Sequence, residues 1–227
     1  MGFKNHELFI ERHRARLRGP FLEIGAKDYG STVNLRTMFP GETYVGIDMA
    51  EGKGVDLTLD LTKPFAEIDA ALNGRRFGTV FCLSVMEHCA QPFLMADNIT
   101  RLLAPGGTLY VSVPYAWKFH GYPSDYWRFT PEGVKKLFPG LAFDMAEART
   151  STDVVGDIQP VDEDLARIRI SASWQRERGR FLRGLGAGLL SVLGALGLIA
   201  WLTRHRYLMP PTCIEMIGTA PAARPDA

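Results

Sequence analysis

The sequence predicts a doubly wound α/β fold: a mostly parallel sheet of seven strands, with an apolar helical insertion before the last of them. Three observations predict it. Short runs rich in β-branched and aromatic residues, bounded by Gly, Pro, Asn or Asp, recur along the first half of the chain. Stretches with helical spacing and helix-stop signals lie between those runs, which is the alternation of βαβ units. The length of 227 residues, 46% hydrophobic and 11% aromatic, allows one large domain with a sizeable core and makes two full domains a tight fit.

In chain order, a basic amphipathic stretch holding Leu8, Phe9, Ile10 and Leu17 comes first. Strands follow at 21 to 25 (FLEIG), 43 to 49 (TYVGIDM), 55 to 61 (VDLTLDL), 79 to 85 (TVFCLSV) and 108 to 114 (TLYVSVP). Helices fit 31 to 38, 64 to 72 and 92 to 103, the last closed by Pro105-Gly106-Gly107. Thr130, Pro131 and Glu132 supply a capping hydroxyl, a first-turn proline and a first-turn acid before VKKLF, a helix start. A sixth strand around 142 to 148 and a seventh at 212 to 219 finish the sheet. The expected organisation is a single domain, 1 to 227, carrying an insertion at 157 to 207.

Charge is unevenly spread. Residues 165 to 207 carry eight Arg and one Glu, a net +7, while the whole chain is +1, which leaves −6 for the remainder. Nothing in that balance points to nucleic acid. Cys82, Cys89 and Cys213 are odd in number and lack CxxC spacing, and the N-terminus is too charged for a signal peptide, so a reduced cytoplasmic protein is expected.

Within the basic segment, residues 184 to 203 are twenty uncharged residues. A membrane span needs ~20 apolar residues, but a single crossing between strands that pair in one sheet would leave the chain ~30 Å away with about eight residues in which to return. The expectation is therefore a helix, or a hairpin broken near Gly194 or Gly197, at the inner face of the cell membrane, with Arg176, Arg178, Arg180 and Arg183 toward anionic lipid. The alternative is a buried or dimer-forming helix closely packed at Gly184 and Gly188. A true span stays open only if 212 to 219 lies outside the sheet.

In an open α/β sheet the ligand sits beyond the carboxyl ends of the strands, at the first strand-to-helix turn. That turn here is Glu23-Ile-Gly25-Ala26-Lys27-Asp-Tyr-Gly30, and Ala26 and Lys27 displace the second glycine that a pyrophosphate fingerprint requires. Glu23 closes an apolar strand, where a carboxylate suits a cationic ligand group. Asp48 closes the second strand, 18 residues past Gly30, where it can accept bonds from ribose hydroxyls, and Asp60 closes the third. Three consecutive strands ending in a carboxylate mark a ligand edge.

The ordered set ExGxxxG, GID, the strand-end Asp60, LSVMEH at 83 to 88 and LLAPGG at 102 to 107 resembles the motifs of class I S-adenosylmethionine-dependent methyltransferases, of the type 11 kind with a Rossmann-like fold. The match covers about residues 20 to 150 and the last strand. It implies S-adenosyl-L-methionine as cofactor, Gly25, Ala26 and Gly30 along its methionine end, Glu23 near the ammonium, Asp48 on the ribose, and Met49, Asp60, Leu61 and Leu83 around the adenine and fourth-strand edge. The family often has Asp near Gly78, and this chain has FGTV, so the fourth strand's polar contact is not carried over.

Methyl transfer to a hydroxyl needs two reactants held in line and a proton removed. His88, directly after the fourth strand, is one candidate base. Cys89 beside it raises a metal reading, but no second ligand pair has usable spacing, and no metal is expected. After the fifth strand, PYAWKFHGYPSDYWRFTPEG crowds aromatics around His120, Asp125 and Arg128; such a loop suits a sugar or ring substrate, or is an ordered lid with Asp125 and Arg128 paired. The run PSDYWRFTPEG resembles bacterial surface-glycan methyltransferases, which implies a glycan or glycolipid hydroxyl as acceptor and adds His120 and Asp125 to the catalytic candidates. Rival readings are a non-catalytic cofactor-binding membrane scaffold, a methyltransferase for a soluble small molecule, and a nicotinamide-dependent sugar enzyme; the last lacks GxGxxG and a YxxxK pair. A homodimer is compatible with all of these.

Overall fold

A computed structural model describes residues 4–30, 34–121, 123–162, 165–166, 168–169, 171–177, 179, 181–199 and 207–222. In chain order its regular elements are α1 (Lys4–His13), β1 (Phe21–Ile24), β2 (Tyr44–Asp48), β3 (Leu57–Thr58), α2 (Phe65–Ala71), β4 (Phe77–Leu83), α3 (Pro92–Leu102), β5 (Leu103–Ala116), α4 (Pro131–Leu137), β6 (Ala142–Phe143), β7 (Arg149–Thr152), β8 (Ile158–Pro160), β9 (Ile168–Arg169), α5 (Ala172–Glu177), α6 (Phe181–Ala195), β10 (Tyr207–Leu208) and β11 (Thr212–Thr219). The main sheet runs β3-β2-β1-β4-β5-β11-β7-β8, with β6 also on β11. Pairs among β1 to β5 are parallel; β11 is antiparallel to β5, β6 and β7, and β8 to β7.

The α/β alternation therefore holds, and the strand count changes from the expected seven to nine. The region read as one strand at 142 to 148 is the two-residue β6 followed by a turn, and a separate hairpin, β7 and β8, comes after it, its polar RTST and its IQP carrying no apolar alternation. The third strand shrinks to Leu57–Thr58. The Asp56 carboxylate accepts the Gly46 amide at 2.7 Å before the strand, and past it the Ala50 amide donates to the Asp48 carboxylate at 3.0 Å, so side chains take the amides in and just past β2 that a longer ladder would use. Of the helix expected at 31 to 38, Leu35–Met38 forms a short 3-10 turn cut off by Pro40 and Gly41; residues 31 to 33 lie outside the described residues.

The core explains why α1 exists. Phe9 and Ile10 are buried at 1% and 0% exposure and Leu17 at 9%, whereas Leu8, expected with them, faces out at 41%. Each burial contributes ~1.5 to 3 kcal/mol. Phe81, Tyr110 and Ile217 stand opposite one another across β4, β5 and β11, and Phe9 packs on Tyr110 with ring centroids 4.9 Å apart. Phe39 stacks on Phe21 at 4.2 Å in the same cluster. At α4, the Thr130 hydroxyl accepts from the Gly133 amide at 3.0 Å and Pro131 takes the first turn, as its sequence requires.

The chain divides into two compact units, 1–161 with 211–227, and 162–210. In the second, β9 pairs with β10, and α6 lies along α5. Gly184 and Gly188 serve that intrachain packing: a Cβ on Gly184 would stand 3.0 Å from Arg176 Cγ, and one on Gly188 would stand 3.8 Å from Ala172 Cβ. α6 passes through Gly194 unbroken, and the chain turns at Gly197, which has φ +74°. Among the described residues no helix is long and apolar enough to cross a membrane, and β11 pairs with β5, which removes the condition for a span. Arg178, Arg180 and residues 200–206 fall outside the described residues.

Candidate active site

The parallel strands β1 to β4 end along one edge and open a cavity of about 710 Å³. At one end Glu23, Gly25, Asp48, Met49, Asp60, Leu61 and Leu83 line it. At the other end are His88, His120, Glu87, Trp117 and Tyr126. Two residues expected beside the ligand do not line it. Ala26 is buried, its Cβ against Gly46, and Gly30 stands in the open at φ +86° with its amide on Asp28.

Each carboxylate at the first end has a distinct environment. Glu23 Oε2 accepts from the Tyr44 hydroxyl at 2.7 Å; burial pushes its carboxyl up to about 7, against that bond and the nearby Arg36, which pull it down. Asp48 closes β2 and accepts the Lys27 amide at 3.3 Å on one oxygen and the Ala50 amide at 3.0 Å on the other. Each oxygen keeps a further lone pair for a hydroxyl donor. Asp60 lies two residues past β3 and braces a tight turn through the Thr62 amide and hydroxyl, at 2.8 and 2.7 Å. Buried Asn98 on α3 holds that turn by donating to the Leu61 and Lys63 carbonyls.

Gly25 is required where it stands. Its φ is +77°, and a Cβ would meet Val85 Cγ2 at 2.5 Å. Val85 follows Ser84, a non-glycine residue held at φ +55° directly after β4, a conformation that clusters at functional turns.

At the other end, chemistry-bearing groups from two loops meet. Glu87 sits in the 3-10 turn Met86–His88; its side chain is 1% exposed, its Oε1 lies 3.9 Å from His88 Nε2 and 3.9 Å from His120 Nε2, and its Oε2 has no hydrogen-bond partner. Burial pushes its carboxyl up to about 8. His88 Nδ1 donates to the Ser124 carbonyl at 2.5 Å, and burial holds the ring's pKa below the usual imidazole value. His120 Nδ1 donates to the Lys118 carbonyl at 3.1 Å and faces Asp125 Oδ2 at 3.2 Å. Both Nδ1 atoms therefore carry the proton in the neutral rings, and both Nε2 lone pairs are free to face the carboxylate and the cavity.

Asp125 is corrected from candidate base to positioning residue. It does not line the cavity. Its oxygens take a two-pronged bond from Arg128 at 2.5 and 2.8 Å, and the His120 amide adds a third at 2.9 Å. The Arg128 bond in particular holds the carboxyl well below the usual carboxylate range, so it has little tendency to take a proton. Arg128 also binds the Trp117 and Lys118 carbonyls, and Trp127 Nε1 donates to the Cys89 carbonyl at 2.8 Å. The loop is thus clasped over the cleft with Tyr126 54% exposed.

Sequence reasoning missed Glu87, Tyr44, Ser124 and Asn98 as site residues. Glu87 had a visible signal, an acid in the apolar run LSVMEHC; Asn98 looked like any polar helix residue, and the Tyr44 and Ser124 bonds depend on tertiary placement.

No family model matches the chain, and no curated protein does. Solved structures do. A candidate methyltransferase of Bacillus halodurans C-125 is 13% identical over 96% of this chain and 99% of its own, with TM-score 0.54. A Burkholderia thailandensis 1,6-didemethyltoxoflavin-N1-methyltransferase, solved with its substrate and S-adenosylhomocysteine, is 11% identical over 96% and 77%, with TM-score 0.51. The [4+2]-cyclase SpnF is 12% identical over 97% and 81%, with TM-score 0.50. These likenesses establish the fold. A cyclase among them means that the reaction has to be argued from the site.

Proposed function

We propose that the protein is an S-adenosylmethionine-dependent methyltransferase acting on an oxygen acceptor, a glycan or lipid-linked intermediate. The observation that carries this is the continuity of one cavity with two chemically different ends: strand-end carboxylates at one, and paired imidazoles under an aromatic loop at the other. The first end fits the cofactor. Gly25 leaves a cradle that a side chain would fill, Glu23 offers a half-buried carboxylate for an ammonium, and Asp48 keeps lone pairs for two ribose hydroxyls. When bound, S-adenosylmethionine supplies a methyl group on a cationic sulfur.

The chain's own work is to bind, orient and take a proton. His88 and His120 turn free Nε2 lone pairs toward the place an acceptor hydroxyl occupies, and Asp125 and the Ser124 carbonyl fix their rings. Trp117 and Tyr126 offer faces for a sugar or ring. The fold's use by a cyclase favours no rival here, because these proton acceptors suit removal of a hydroxyl proton. Incubation with labelled methyl donor and membrane glycolipid extract should label the glycolipid; label confined to soluble metabolites refutes the acceptor, and no label in either refutes the activity.

The second unit supports attachment to the inner membrane surface. On α6 and its last turn, Leu182, Leu185, Leu189, Val192 and Leu196 recur at spacings of three and four and are 57 to 82% exposed, an apolar stripe with Arg176 and Arg183 nearby in sequence. Leu185→Glu with Leu189→Glu should abolish cosedimentation with anionic vesicles. Unchanged cosedimentation would remove the stripe from the account.

A further inference from the structure

We propose that Glu87, His88 and His120 bind a divalent transition-metal ion at the acceptor end of the cleft. The inference rests on the reading of that end as the acceptor site and deepens it. Two imidazole nitrogens and one carboxylate oxygen, from the turn after β4 and the loop after β5, lie within 4.8 Å of one another. No spacing in the sequence joins them; the Arg128 clasp brings the second histidine in.

Four features make this a ligand set. The first is orientation: each histidine spends Nδ1–H on a carbonyl, so each Nε2 is a free donor lone pair, 3.9 Å from Glu87 Oε1. The second is an outer layer of the kind that metal-binding histidines use, since Asp125 backs His120 and the Ser124 carbonyl backs His88. The third is the buried Glu87 Oε2, which has no hydrogen-bond partner. A carboxylate oxygen out of water and unpaired is unfavourable, and a cation on the carboxylate relieves it. The fourth is access: all three residues line the cavity, so an ion held by three protein ligands has open positions facing the acceptor.

Bond lengths of ~2.0 to 2.2 Å place neighbouring ligand atoms roughly 3.3 Å apart in a tetrahedral site. The 3.9 Å separations need to close by roughly half an ångström, within the reach of side-chain torsions. Imidazole nitrogen with one carboxylate selects ions of the manganese-to-zinc series over magnesium or calcium. With the ion bound, both Nε2 atoms are ligands rather than bases. The acceptor oxygen then occupies an open position, its proton passes to solvent, and the ion balances the negative charge that remains.

The test uses the full chain, stripped with chelator and titrated with Co²⁺, followed by visible absorption and calorimetry. One Co²⁺ per chain with a ligand-field band, displaced by Zn²⁺, is expected. His120→Ala and Glu87→Gln, each checked for folding by circular dichroism, should weaken Co²⁺ at least a hundredfold, and Cys89→Ser should leave it unchanged. Absence of saturable binding, or binding that survives both substitutions, overturns the proposal. S-adenosylhomocysteine binding is measured on the same samples. Cofactor binding without Co²⁺ overturns the ion site and leaves the methyltransferase reading standing, whereas Co²⁺ binding without cofactor binding supports the ion site and overturns that reading.

Discussion

Replacing Glu23 by Gln takes a charge from the cofactor end while keeping the shape. Gln retains an oxygen for the Tyr44 hydroxyl, whose bond to Glu23 is 2.7 Å. Because burial lifts the Glu23 carboxyl to about 7, the ligand-free protein holds it mostly protonated at pH 6. A cationic ammonium beside it favours the ionised form, so binding expels the proton and apparent affinity falls as pH drops below the folded value of about 7. The wild-type protein should therefore bind S-adenosylhomocysteine roughly tenfold more weakly at pH 6 than at pH 7.5, the ligand's own amino group losing charge only near ~8. At pH 7.5 the variant lacks a charge-assisted bond of ~1.5 to 3 kcal/mol, tenfold or more in affinity. The ratio of wild-type to variant affinity should shrink by that same roughly tenfold factor between pH 7.5 and pH 6, because a protonated Glu and a Gln are alike and only the ionised fraction distinguishes them. Calorimetry in two buffers of different ionisation heat reads both the affinity and the released proton. A ratio that stays constant from pH 6 to 7.5 would refute the assignment of Glu23 to the ammonium.

Two further outcomes follow from single residues. Gly25→Ala places a side chain at φ +77° against Val85, so chemical denaturation should register a loss of at least ~1 to 2 kcal/mol and cofactor binding should weaken; wild-type values for both would mean that the turn has room. Glu215, with no exposed surface and bonded to the Ser151 hydroxyl, has its carboxyl raised to about 8 by burial. The folded state thus keeps a proton that the unfolded chain releases above ~4.3, and stability should decline by a few kcal/mol between pH 5 and 8. In Glu215→Gln that share of the decline should vanish, with Glu87's equal in both proteins; identical pH profiles would contradict it.

How much was legible in the chain depends on whether a signal was local. Strands β1, β2, β4, β5 and β11 are apolar runs cut by Gly, Pro and Asp, and Thr130-Pro131 announces α4, so the parallel strands and the antiparallel β11 beside them could be read directly. The β7 and β8 hairpin could not, because Arg149–Thr152 is polar at every position and gains its burial by pairing between β11 and β8. The cofactor end was legible as carboxylates at strand ends, though Asp60 reaches the cavity from a turn rather than from a strand. The acceptor end was half legible. His88 and His120 stood out singly, but their convergence on Glu87 depends on a loop clasped by Asp125 and Arg128, and that same clasp takes Asp125 out of the role its charge suggested.

On the proposed function, the edge of Glu23, Asp48 and Asp60 is an adenosine site built for a cationic amino-acid group and not for a pyrophosphate. Titrating the protein with S-adenosylhomocysteine and with NAD, beside an Asp48→Ala variant, tests it most directly. Saturable binding of S-adenosylhomocysteine at one site per chain, no binding of NAD, and a tenfold or greater loss in Asp48→Ala are the predicted result. Binding of NAD in preference to S-adenosylhomocysteine, or unchanged affinity in Asp48→Ala, would contradict it.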